Sequence, residues 1–300
     1  MHNYTVLSGK VVSDSIYNSL QSRVKMLKNN NIQPGLAAIL IGDNSASKIY
    51  IKMKTKKFHE LGLKTKTFRL PEECTQSELI KLIKDINQDA IFHGILVQLP
   101  LPNHINANSV IFSIDPKKDV DGFHPENAGL LSMGIPRFIP CTPKGIMRML
   151  EYYEINLKGK HVVVLGRSNI VGRPISILTS LKSKWANSTT TICHSGSRDI
   201  SSHTQNADII IVAMGVPKFL KKDMVKENAI IIDVGINRIN DNSKKGYMLV
   251  GDVSWDDVTK KASAITPVPG GVGPMTIAML VENTIEAAEN QLKQSLTNSV

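Results

Sequence analysis

Apolar and polar positions along this chain follow two alternating patterns. Short, nearly continuous apolar runs recur: Leu36-Ala37-Ala38-Ile39-Leu40-Ile41, Gly94-Ile95-Leu96-Val97-Gln98-Leu99, Val162-Val163-Val164-Leu165, Ala207-Asp208-Ile209-Ile210-Ile211-Val212-Ala213 and Ala229-Ile230-Ile231-Ile232-Asp233-Val234. Runs this short and this rich in β-branched residues read as strands buried on both faces, the pattern of a parallel sheet covered by helices. Lys66-Thr67-Phe68-Arg69-Leu70 and Thr189-Thr190-Thr191-Ile192-Cys193 add two strands, and the second is expected to be buried like its neighbours. Between the runs, helical spacing predicts helices over 47–61, 77–87 and 275–291. The second of these carries Leu79, Ile80, Leu82, Ile83 and Ile86 on one face, and the third Ile277, Leu280, Val281 and Ile285.

These elements sort into two α/β domains. Residues 142–271 are predicted to form a Rossmann-type parallel-sheet domain. Residues 1–141 with 272–300 form the other, the last helix returning to pack on it. Pro100, Pro102, Pro116, Pro125, Pro136, Pro140 and Pro143 break the chain between the halves, which predicts loops, short elements and a hinge. Three hundred residues with 42% hydrophobic content suffice for two cores.

The run Val162-Val163-Val164-Leu165 empties into Gly166-Arg167-Ser168-Asn169-Ile170-Val171-Gly172-Arg173-Pro174. At such a strand-to-helix junction glycines let the backbone approach a dinucleotide pyrophosphate, and unpaired N–H groups face the anion. Only Gly166 and Gly172 stand where the three fingerprint glycines would be, so an ordinary strand–helix loop remains an alternative. The next strand decides between cofactors. An NAD site ends it in Asp or Glu, which binds the ribose hydroxyls; here it ends Cys193-His194-Ser195, and Arg167 stands on the turn. That combination favours NADP over NAD, against the plainer reading of a solvated Arg167 and a Ser195 that caps a turn.

A net charge of +10 raises the question of nucleic acid, but the 36 basic residues are spread among 26 acids and aromatics make up only 5%. Without a basic stripe interleaved with aromatics, nucleic-acid binding is disfavoured. Lysines do thicken between Lys48 and Lys66, where Glu60 is the one acid, giving either a solvated helix face or a field that attracts an anionic substrate tail. Cys74, Cys141 and Cys193 form no paired spacing, so neither disulfides nor a zinc site is expected, and a reducing cytoplasm fits. The first residues lack a signal-like pattern, and no apolar run approaches the ~18 residues that cross a bilayer, so a membrane partner is not expected.

Four segments carry the remaining chemistry: Ser47-Lys48-Ile49-Tyr50-Ile51-Lys52-Met53-Lys54, Val97-Gln98-Leu99-Pro100-Leu101-Pro102, Lys118-Asp119-Val120-Asp121-Gly122-Phe123 and Pro269-Gly270-Gly271-Val272-Gly273-Pro274-Met275-Thr276. Tyr50 and Lys54, four apart on a predicted helix, share a face and can meet one ligand. Asp119 and Asp121 would point in opposite directions if their segment were extended. With no further carboxylate or histidine cluster beside them, they are not read as a metal site. The loop 270–274 is expected to present open backbone to a flat ligand.

Together with the 166–174 turn and Asp233-Val234-Gly235-Ile236-Asn237, these segments resemble the bifunctional methylenetetrahydrofolate dehydrogenase/methenyltetrahydrofolate cyclohydrolase family over nearly the whole chain. The loop Lys182-Ser183-Lys184-Trp185-Ala186-Asn187 is a little longer than is usual there. The resemblance implies an active-site cleft between the domains and NADP as cofactor, held by Gly166, Arg167, Ser168, Ser195 and Ile236, with no metal. It implies a folate bound by Tyr50, Val97, Leu99, Pro269, Gly270, Gly271, Val272 and Gly273, with Tyr50 stacked on the aminobenzoyl ring. Lys54, Gln98 and Asp121 become the catalytic set: Lys54 activates water, Gln98 holds it, and Asp121 accepts paired hydrogen bonds from the pterin. A homodimer and polyglutamylated tetrahydrofolate substrates are implied as well. Other readings are a dehydrogenase-only member of the family, an amino-acid or shikimate-type dehydrogenase, and a non-catalytic nucleotide sensor or basic RNA-binding module.

Overall fold

The computed structural model describes residues 3–241 and 246–297. The chain forms two compact units: Met1–Ser15 with Thr142–Thr276, and Ile16–Cys141 with Ile277–Val300. Its elements run β1 (Thr5–Val6), α1 (Gly9–Asn29), β2 (Gly35–Ile41), α2 (Ser45–Glu60), β3 (Lys64–Leu70), α3 (Gln76–Gln88), β4 (Gly94–Val97), α4 (Ala107–Phe112), α5 (Pro125–Ser132) and α6 (Cys141–Tyr152). Then follow β5 (His161–Leu165), α7 (Gly172–Ser180), β6 (Thr189–Cys193), α8 (Ile200–Thr204), β7 (Ile209–Val212), β8 (Ile230–Asp233), β9 (Asn237–Asn240), β10 (Tyr247–Val250), α9 (Trp255–Val258), β11 (Ala264–Ile265) and α10 (Val272–Thr297).

In the unit built on residues 16–141, a three-stranded parallel sheet has the order β3-β2-β4. β2 is central and buried along its whole length, as its unbroken apolar run requires. α3 starts on a capping box in which Thr75 and Glu78 satisfy each other's backbone N–H groups. It buries Leu79, Ile83 and Ile86 against Ile39, Ile95 and Val97. β4 ends at Val97 rather than Leu99. Gln98 N–H still donates to Ile39 O (2.9 Å), but beyond it the chain leaves the sheet through the cis Leu99–Pro100 bond. The proline-rich stretch holds the short helices α4 and α5.

The other unit is a six-stranded parallel sheet in the order β1-β11-β8-β7-β5-β6. From β5 the chain pairs β6 on one side and then returns to lay β7 on the other, so the order reverses at the carboxyl ends of β5 and β7. Three features differ from the sequence reading. β6 is the edge strand, so it is not buried on both faces; Ile192 is 39% exposed. The first residues, assigned from sequence to the N-terminal domain, instead add β1 to this sheet, Thr5 beside Ala264 and Val6 beside Ile265. α10 starts at Val272 rather than Met275, because Pro274 in a first turn gives up no intrahelical hydrogen bond.

Candidate active site

In the 16–141 unit, Asn44 caps α2 by accepting from Ser47 N–H (3.0 Å), which fixes the helix that carries Tyr50 and Lys54 one turn apart. Lys54 is 7% exposed and its Nζ donates to Gln98 Oε1 (3.1 Å). Gln98 Nε2 in turn donates to Leu99 O (2.8 Å), so the amide is held from both ends at the mouth of β4. Tyr50 is half-buried, and burial pushes its phenol up. Leu99 is half-buried beside Gln98, whereas the Val97 side chain points into the core.

Asp121 completes the cluster. Burial pushes its carboxyl above the ordinary carboxylate range; the Lys54 ammonium opposes this, the Asp119 charge adds to it, and a hydrogen bond with Cys141 lowers it again. The segment around it is not extended. Val120 N–H donates to Lys118 O and Gly122 N–H to Asp119 O, and Gly122 has φ +74°, so the chain turns here and the alternation argument does not apply. The two carboxylates are nonetheless placed differently, Asp121 near Lys54 and Asp119 in the loop. Asp119 is 1% exposed, and its Oδ2 accepts from His124 N–H (2.7 Å) and Asn127 Nδ2 (2.8 Å), which ties the loop to α5.

Sequence reading missed Asn283, fully buried on α10. Its Nδ2 donates to Val120 O (2.8 Å) and Ile139 O (3.0 Å), clamping the main chain next to Asp121. The signal was an amide among the apolar positions of an otherwise buried helix, next to Val281 and Ile285.

In the unit with the six-stranded sheet, Gly166 has φ +116°, and a Cβ there would collide with Ala213 O; one at Gly172 would collide with Gly166 O. This turn therefore closes only with glycine at both positions. Ser168 Oγ accepts from Val171 N–H (3.1 Å) and Gly172 N–H (3.3 Å), so the first donors of α7 are already capped. Arg167, Ser168, Asn169 and Ile170 are exposed, and their backbone N–H groups meet no acceptor among the described residues. That open row of donors beside a helix start fits a pyrophosphate. Arg167 and Ser195 are exposed, as is Arg198 in the loop after β6, which sequence reading passed over; no acid ends β6. The residues present fit a phosphorylated ribose.

Ile236 is 42% exposed, and its Cδ1 would lie 3.6 Å from a Cβ at Gly273, so these two residues are neighbours. Pro269 is exposed and follows a cis bond, and Gly270 has φ +105°. The loop is less open than its glycines imply: Gly270 O accepts from Gly9 N–H (3.0 Å) and Gly271 N–H donates to Pro267 O (2.8 Å). Val272, with Gly273, belongs to the first turn of α10 and is buried. Among the described residues no group of three His, Cys, Asp or Glu could hold a metal, and no helix is long and apolar enough to cross a membrane.

The fold and the 166–174 turn define a two-unit α/β protein of the dinucleotide-binding class. A model described as the catalytic domain of tetrahydrofolate dehydrogenase/cyclohydrolase matches residues 7–121, and one described as the NAD(P)-binding domain of the same proteins matches residues 140–292. The chain belongs to the tetrahydrofolate dehydrogenase/cyclohydrolase family. It is 50% identical over 290 residues to the bifunctional protein FolD of Nautilia profundicola, covering 97% of this chain and 99% of that one. It is 51% identical over 284 residues to FolD of Flavobacterium johnsoniae, with 94% and 96% covered. Among solved structures, bifunctional FolD from Campylobacter jejuni matches with TM-score 0.90 at 49% identity, covering 96% of this chain and 99% of that one. The Trypanosoma brucei methylenetetrahydrofolate dehydrogenase-cyclohydrolase, complexed with NADP and an inhibitor, matches with TM-score 0.91 at 35% identity, covering 97% and 99%.

Proposed function

We propose that this chain oxidises methylenetetrahydrofolate to methenyltetrahydrofolate with NADP and then hydrolyses the product to formyltetrahydrofolate. The observation that carries this reading is the buried Lys54 Nζ held 3.1 Å from Gln98 Oε1, beside the Asp121 carboxyl. When bound, NADP supplies the acceptor for the hydride. Gly166, Arg167, Ser168, Ser195 and Ile236 are the residues assigned to hold it.

The chain's own chemistry lies on the folate side. Tyr50 stacks on the aminobenzoyl ring, and Asp121 accepts paired N–H donors from the pterin, interactions that orient the reacting carbon. Val97 contributes through its main chain, since its side chain lies in the core. Leu99, Pro269, Gly270, Gly271, Val272 and Gly273 are assigned to the folate as well. In hydrolysis, water oxygen bonds to the methenyl carbon and one of its protons passes to the Lys54 amine; the adduct's remaining O–H then gives up its proton as C=O forms, one C–N bond breaks with its electron pair going to nitrogen, and that nitrogen takes a proton back from the Lys54 ammonium. The cationic methenyl carbon disfavours an ammonium at Nζ, and Gln98 keeps Nζ aimed.

A polyglutamate tail fits the α2 surface, where Lys48, Lys52 and Lys56 recur at one-turn intervals. Homodimer formation and a cytoplasmic location belong to the same reading; three buried free thiols support the reducing compartment. The test is a paired spectroscopic assay with methylenetetrahydrofolate, following reduction of NADP or NAD and, separately, decay of added methenyltetrahydrofolate. Both signals are expected. Reduction without decay would leave a dehydrogenase alone, and neither signal would overturn the reading.

A further inference from the structure

Two aspartates that the proposed chemistry does not use are buried side by side at the ligand end of the six-stranded sheet. Asp233 closes β8 and is 4% exposed; Asp252 follows β10 and is fully buried. Each carboxylate is saturated with donors from loops. Asp252 Oδ2 accepts from Met214 N–H (2.7 Å) and Gly215 N–H (2.8 Å), and its Oδ1 accepts from Asn237 Nδ2 (2.8 Å). Asp233 Oδ1 accepts from Gly235 N–H (3.0 Å) and Asp252 N–H (2.9 Å), and its Oδ2 from Val253 N–H (3.0 Å).

Burying two carboxylates this close costs several kcal/mol that a plain sheet edge would not demand. The placement accounts for the expense. Met214 and Gly215 come just after β7, behind Ala213, and the turn glycine Gly166, directly after β5, lies so close to Ala213 that a Cβ on it would strike Ala213 O. These are the two strand ends at which the sheet order reverses, where open α/β sheets bind ligands. Ile236 lies between the two residues held from the other side, Gly235 by Asp233 and Asn237 by Asp252.

We infer that Asp252 is a positioning residue for the dinucleotide: with Asp233 behind it, it fixes the 213–215 and 234–237 loops at the heights that the cofactor needs. This rests on the NADP reading above. Asp252 touches neither cofactor nor folate and acts through the main chain of Met214 and Gly215. In Asp252→Ala the N–H groups of Met214, a half-buried residue, and Gly215, an exposed one, lose their acceptor and can turn to water, releasing the loop. Asp252→Asn keeps a carbonyl for both N–H groups once the Asn237 amide turns over, and so restores part of the clamp.

The experiment is calorimetric titration of the purified full chain with NADP, beside hydrolysis of added methenyltetrahydrofolate without cofactor. Asp252→Ala should raise the Kd for NADP at least tenfold and Asn237→Ala about threefold, Asp252→Asn should fall between parent and Asp252→Ala, and cofactor-free hydrolysis should stay at the parent rate in all three. A folded variant set that binds NADP within twofold of the parent overturns the inference, as does equal loss of binding and hydrolysis, which would make Asp252 plain scaffold. If Asp252→Ala does not fold, Asn237→Ala decides alone. A parent that binds no NADP would sink the functional reading and this inference together, whereas a parent that binds and hydrolyses beside unaffected variants would sink only the latter.

Discussion

Asp233 gives the most quantitative test of this sheet's electrostatics. Its carboxyl is pushed up from the ordinary 3.8 to about 6, by burial first and by the Asp252 charge as well, although three backbone N–H donors pull the other way. The folded chain therefore binds this proton more tightly than the unfolded chain, and stability must fall as pH rises between the two values. About two pK units at 1.36 kcal/mol each make the contribution about 3 kcal/mol, complete near pH 4 and gone above pH 6. Trp185 and Trp255, the chain's two tryptophans, both lie in the unit that holds Asp233, so their fluorescence reports unfolding of that unit. Urea unfolding from pH 4 to 7.5, compared between the parent and Asp233→Asn, should show the parent's advantage shrinking by about 3 kcal/mol across the range. Parallel curves would refute the argument. So would a carboxyl carbon resonance of Asp233 in the parent that titrates at or below pH 4, a measurement that does not depend on the variant folding.

Other expectations follow from the same geometry. Lys54→Met should lower cyclohydrolase turnover by roughly 10²–10⁴, the usual worth of a positioned proton acceptor, while calorimetry finds NADP binding intact; unchanged hydrolysis would remove Lys54 from its role. Asp121→Asn should raise the KM for folate well above that of Asp119→Asn, whereas Asp119→Asn should chiefly lower the unfolding temperature through its bonds to His124 and Asn127; equal effects on KM would remove the distinction. Arg167→Ala should raise the KM for NADP about tenfold more than that for NAD, the value of one charge-assisted contact, and equal shifts would place phosphate recognition elsewhere, Arg198 being the next candidate. His93, 7% exposed and lowered to about 4 by burial beside Lys118, carries the opposite pH sign to Asp233. Its neutral form stabilises the fold fully above pH 6.5, and about 3 kcal/mol is lost as pH falls toward 4. Urea unfolding followed by circular dichroism should show a shallower acid loss for His93→Gln, and equal slopes would count against it.

The sequence by itself determined the central strands of both parallel sheets, because period and β-branching are local properties that burial on two faces demands of β2, β5, β7 and β8. It also singled out the turn at 166–174, whose two glycines are required by collisions that any side chain would make, and it placed Tyr50 one helical turn from Lys54. Tertiary structure decided what local pattern cannot encode. β6, with three threonines before Ile192 and Cys193, is β-branched like its neighbours, yet it is an edge strand, because strand order depends on how helices cross the sheet. The opening residues pair with Ala264 and Ile265, some 260 positions away in sequence. Asp119 and Asp121 are set apart by a turn that an extended reading misses. Asp252 looks like an unremarkable polar residue in the sequence, Asp233 stands in the 233–237 segment without a role, and Asn283 is marked only as an amide among apolar positions; what the three do depends on folding, which brings backbone N–H and C=O groups within hydrogen-bond reach of their side chains.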